Sequence, residues 1–97
     1  MAIDDKLTGV LRGRRIRGTH IAGDTLKIRF GDGSIMSLRI GGPWSCAVMG
    51  VPVQAARQEG TTLYLEFENG KTMELHTAAP RSSLTVRDRI NTVEYTN

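Results

Sequence analysis

Apolar and polar residues alternate along most of this chain, and glycine breaks the alternation at regular intervals. Leu26, Ile28 and Phe30 alternate with Lys27 and Arg29, and Met36, Leu38 and Ile40 alternate with Ser37 and Arg39. A period of two predicts strands with one wet and one buried face. The same pattern returns at 63–67 and 73–75, with Gly31-Asp32-Gly33 and Glu68-Asn69-Gly70 between the paired runs. Hairpins are therefore expected over 25–40 and 62–77, each preceded by a strand, over 14–21 and 53–58. Pro52 suits only a strand start. Ile3, Leu7, Val10 and Leu11 follow helical spacing instead, with Asp4 and Asp5 in the first turn and Gly13 past the end. That predicts a helix over 4–11 that caps the sheet. Residues 84–86 and 92–95 read as a closing hairpin.

The likeness of the two hairpins is a repeat. A shift of 37 positions, from Gly13 to Gly50, lays 13–40 over 50–77 without a gap. Gly13, Gly23, Thr25, Leu26, Phe30, Gly33, Met36 and Leu38 then meet identical residues. Register follows from the pattern. A two-residue turn at Asp32-Gly33 would put Ser37 and Arg39 on the apolar face. A three-residue loop with Gly33 in the left-handed region pairs Phe30 with Ser34, Ile28 with Met36 and Leu26 with Leu38, which keeps the apolar set together. In the second copy it pairs Phe67 with Lys71, Leu65 with Met73 and Leu63 with Leu75. The expected inward set adds Ile16, Val53, Leu84, Val86 and Val93. Gly18 and its equivalent Ala55 suggest close strand packing. The fold class is mainly β: a short N-terminal helix, two pseudo-repeated three-stranded antiparallel meanders and a C-terminal hairpin. Together they form a small barrel or two-sheet sandwich with an approximate internal two-fold. Residues 1–97 read as one domain.

Composition narrows the setting. With 97 residues, 39% apolar and 5% aromatic, the stability margin of a lone chain is thin, and self-association would widen it. Cys46 alone allows no internal disulfide, the acidic start does not resemble a secretory signal, and the longest apolar stretch, 46–53, is too short to span a bilayer. A cytoplasmic location without membrane insertion is expected.

Charge changes the picture more. Residues 1–40 carry eight Lys/Arg against four acids, and 41–97 carry five against six. The outward face of the first hairpin presents Thr25, Lys27, Arg29, Ile35, Ser37 and Arg39; that of the second presents Thr62, Tyr64, Glu66, Thr72, Glu74 and His76. With the run before the first strand, the candidate basic surface is Arg12, Arg14, Arg15, Arg17, Lys27, Arg29 and Arg39. The candidate acidic surface is Glu66 and Glu74. Charge on wet strands also serves to protect edges. Trp44, in a glycine-rich loop over 41–50, is a candidate partner anchor.

Reaction chemistry finds little footing. His20, His76 and Cys46 lie in three segments without ligand spacing, and Gly41-Gly42-Pro43 lacks the lysine and helix of a phosphate loop. No catalytic residue, metal site, cofactor or small-molecule substrate is assigned. The expected function is a non-enzymatic protein-binding or self-assembly module, the partner being another protein or a second copy. The alternative is nucleic-acid binding through the basic face, which lacks interleaved aromatics for stacking.

Overall fold

The computed structural model describes residues 2–3, 5–44, 48–77 and 84–96. Its elements are β1 (Ala2–Ile3), α1 (Asp5–Leu11), β2 (Ile16–Ala22), β3 (Thr25–Phe30), β4 (Ile35–Trp44), β5 (Val53–Glu59), β6 (Thr62–Phe67), β7 (Thr72–Thr77), β8 (Leu84–Arg87) and β9 (Val93–Thr96). The protein is mainly β, with one short N-terminal helix, two antiparallel meanders (β2–β3–β4 and β5–β6–β7) and a C-terminal hairpin. The two-residue β1 is an element that the periodicity did not predict.

Both bulged turns form as the pattern requires. Phe30 N–H donates to the Ser34 carbonyl (2.9 Å) and Gly33 N–H to the Phe30 carbonyl (3.1 Å), and the ladder pairs Ile28 with Met36 and Leu26 with Leu38. Phe67 N–H donates likewise to Lys71 (2.9 Å) and Gly70 N–H to Phe67 (3.0 Å). Gly33 and Gly70 have φ of 90° and 84°, a region that costs an L side chain about 1–2 kcal/mol. At Gly33 a β-carbon would also stand 2.7 Å from the Arg89 β-carbon. Glycine is required there twice over.

The copies meet about a local two-fold. Arg15 pairs with Pro52 and Ile40 with Thr77, so each residue faces its own equivalent. Gly13 N–H donates to the Val53 carbonyl (2.9 Å) and Gly50 N–H to that of Ile16 (3.0 Å), the same bond made from either side. Such reciprocity is the mark of an isologous contact.

The strands do not close into a barrel. The path β5–β6–β7–β4–β3–β2 has two ends, and among the described residues these meet at their starts alone, through the Arg15–Pro52 bridge and the flanking hydrogen bonds of Gly13, Gly50 and Val53. The first half of β4 pairs with β3 and β8 and its second half with β7, so β4 belongs to both layers of a sandwich-like arrangement. Between the layers lies one core, in which Leu26, Ile28, Phe30, Met36 and Leu38 meet their repeat equivalents. Leu7 and Leu11 of α1 join it. Burial of each such side chain contributes roughly 1.5–3 kcal/mol.

Two expectations about packing are corrected. Val93 is 43% exposed, and Tyr95 is buried in its stead. The ladder pairs Arg87 with Val93 but Val86 with Tyr95, and the extra residue, Glu94, turns Val93 to the wet side beside Arg87. Gly18 gains nothing from being glycine through close packing, because a β-carbon there would meet no atom within 4 Å. It and Ala55 instead follow equivalent register shifts in β2 and β5. Among the described residues, no helix is long and apolar enough to cross a membrane.

Candidate binding surface

The outward face of the first meander is assembled by strand pairing. Lys27 lies beside His20 on β2 and Ser37 on β4; Arg29 lies beside Gly18 and Ile35. β8 then extends the rows, setting Thr85 next to Ser37 and Arg87 next to Ile35. Lys27, Arg29 and Arg87 are exposed on one sheet face, and none of them is ion-paired among the described residues. Lys27, Ile35, Ser37, Arg87 and Arg89 border a hollow of about 300 Å³, to which Asp88 adds one acid. Arg87 and Arg89 were not among the candidates. They stand 60 and 62 positions after Lys27 in the chain, and only the β4–β8 register brings them to it.

The other basic candidates divide. Arg14 is engaged: its Nη1 lies 2.8 Å from Glu94 and its Nε 3.3 Å from Asp32, with the side chain 15% exposed. Burial works against its charge, but Glu94 and Asp32 outweigh that and hold the guanidinium above its ordinary pKa. Partial burial likewise pushes the Asp32 carboxyl upward, and the Ser34 hydrogen bonds with the Arg14 charge more than offset it, so Asp32 titrates below the usual carboxylate range. Arg39 is paired with Asp24 at 2.7 Å, which lowers the Asp24 pKa. Arg12 and Arg15 are exposed at the end of the sheet, where α1 and the turn at Gly31 meet, and Arg17 is exposed on β2. Of the seven candidates, Arg14 and Arg39 are thus ion-paired, and Lys27 and Arg29 share one exposed sheet face with Arg87.

The second meander is different in kind. Arg57 Nε lies 2.6 Å from Glu66 and its Nη1 3.4 Å from Glu59, while its guanidinium stands 4.5 Å from the Tyr64 ring centre. Glu66 is thereby ion-paired, and Glu74 remains exposed without an ion pair among the described residues. His76 Nδ1 is 3.4 Å from the Thr62 hydroxyl. His20 and His76 sit on the outward faces of different meanders, and Cys46 lies outside the described residues. β4 runs to Trp44, whose backbone pairs with Leu75 where a loop was expected. The Trp44 side chain lies outside the described residues.

No protein-family model, no curated protein and no solved structure matches the chain.

Proposed function

We propose that this protein is a non-enzymatic binding module that takes an acidic surface of a protein partner against the basic face of its first meander. One observation carries this. Two meanders of the same backbone and core diverge outward: on the face of the first, Lys27 and Arg29, joined by Arg87 of β8, are exposed without ion pairs among the described residues, whereas the second closes Arg57 between Glu59 and Glu66. Unpaired like charges on a flat face repel one another at a cost that an opposite surface relieves, so complementarity sets partner choice and on-rate. A protein partner is favoured over nucleic acid because no aromatic interleaves with Lys27, Arg29 and Arg87. Another protein is favoured over a second copy because Glu66 is already held internally and leaves Glu74 alone as a counterpart.

Poly-L-glutamate is a direct probe. Binding at low salt should weaken steeply as salt rises and fall at least about tenfold in the Lys27→Glu/Arg29→Glu double variant. Equal binding by that variant, or none by the wild type, would overturn the proposal. Sedimentation at low salt separates the two protein partners, and a dimer abolished by Glu74→Lys would mark the second copy.

A further inference from the structure

The two-fold that relates the meanders also exposes a difference between their outer edges. Thr19, His20 and Ile21 of β2 correspond to Ala56, Arg57 and Gln58 of β5. In the second meander this edge is covered. Ala56 N–H donates to Thr8 Oγ1 of α1 (2.9 Å), the same hydroxyl donates to the Ala56 carbonyl (3.0 Å), and β1 pairs Ala2 with Gln58 and Ile3 with Arg57. Among the described residues α1 and β1 both lie on β5, and no equivalent of either lies on β2. The strand path ends at β2, with no strand paired to its outer side among the described residues.

The open edge has defined hydrogen-bonding capacity. Phe30 N–H donates to Ser34 across the β3–β4 hairpin, so Phe30, Ile28 and Leu26 turn their backbone groups toward β4, and Arg29, Lys27 and Thr25 turn theirs toward β2. Ala22 and His20, opposite Thr25 and Lys27, bond inward. That leaves the N–H and carbonyl of Thr19 and Ile21 pointing outward, as those of Ala56 do. Natural edges are usually blunted by charge, proline or cover. Here Ile21, where β5 carries Gln58, is 43% exposed.

We infer that the outer edge of β2 accepts a strand from the partner protein, an extended segment of about five residues that alternates acidic and apolar side chains. The inference rests on the binding reading given above and specifies how that partner engages. Main-chain bonds to Thr19 and Ile21 supply the affinity, and alternate side chains supply the choice. On one face of the added strand, apolar residues cover Ile21. On the other, acids meet His20, Lys27 and Arg29, which lie on the outward face of β2 and β3. A second copy of β2 fits this edge poorly, since antiparallel pairing would set the same cations against themselves.

The probe is a fluorescent acetyl-Val-Glu-Val-Glu-Val-Glu-Val-amide peptide, read by anisotropy at low salt and by amide exchange. The peptide should bind, the amides of Thr19 and Ile21 should become protected, and Ile21→Pro should weaken binding at least about tenfold. Proline at that position removes an outward N–H without breaking the β3 ladder. Poly-L-glutamate binding should be unchanged in Ile21→Pro, which separates failure of the edge from failure of the basic face. The same peptide N-methylated at alternate residues tests the wild-type protein directly and should lose binding to the same extent. Equal affinity for the N-methylated peptide, unprotected Thr19 and Ile21 amides in the complex, or a peptide-free dimer through β2 would each overturn the inference.

Discussion

When the second meander is laid on the first, the buried halves coincide, while the wet faces and outer edges do not. Phe30 and Phe67, Ile28 and Leu65, and Met36 and Met73 occupy equivalent places in one core. Outward, Lys27 and Arg29 stand where Tyr64 and Glu66 do. The first meander ties Arg39 to Asp24 but leaves Lys27 and Arg29 without an ion pair among the described residues, and the second ties Arg57 between Glu59 and Glu66. The two copies share what the backbone and core need and differ in what neither needs. A binding face can diverge on such a scaffold at little cost, because substitution of an exposed strand position away from special features changes stability by only about 0.5 kcal/mol.

The sharpest test of that division lies at the two bulged turns. Gly70→Ala should cost about 1–2 kcal/mol for its left-handed backbone alone. Gly33→Ala carries the same penalty plus a clash with the Arg89 β-carbon, for a total of about 2–4 kcal/mol. Chemical denaturation of both variants would show the difference, and Arg89→Gly added to Gly33→Ala should remove it. Equal losses in the two single variants would mean that the C-terminal hairpin does not press on the first turn.

The covered edge comes next. Thr8→Val keeps the shape of the side chain but leaves both Ala56 backbone groups without their partner, which should cost about 1–3 kcal/mol. Amide exchange at Ala56 should quicken, while exchange at Thr19, its counterpart on β2, should already be fast in the wild type. Slow exchange at Thr19 in the free protein would erase the contrast between the edges.

The smallest effect concerns charge in the turns. Asp32 Oδ1 accepts from Ser34 N–H at 2.9 Å, and Asn69 Oδ1 accepts from Lys71 N–H at 3.0 Å, so an amide already serves in the second copy. Asp32→Asn should keep the turn and lose only the pairing with Arg14, worth at most about 1 kcal/mol for so exposed a carboxylate. The folded-state pKa of Asp32 is lowered, so its contribution is present above the ordinary carboxylate pKa of about 4. It is lost as pH falls through the lower folded value. Thermal melts of variant and wild type should therefore differ at neutral pH and converge in acid.

What could be read from the residues alone follows the range of the forces involved. Hairpin register was legible because alternation assigns each side chain a face and the glycine position sets the loop length. The basic surface was legible only in part. Lys27 and Arg29 were placed by local alternation, but the Glu94 that neutralises Arg14 is 80 positions away. Arg87 reaches the same face through a long-range ladder with no local signature. Val93 was misplaced because one inserted residue reverses a strand's faces, and nothing in the composition of residues 92–95 marks the insertion.

The seam between the meanders has a kinetic consequence. Each hairpin joins residues close in the chain, whereas Arg15 with Pro52 and Ile40 with Thr77 stand a full repeat apart. Closing those longer loops costs more chain entropy before any contact repays it. The hairpins are therefore expected to form before the seam, and φ-values near 0 for seam residues but not for the β3–β4 and β6–β7 hairpins would show that order.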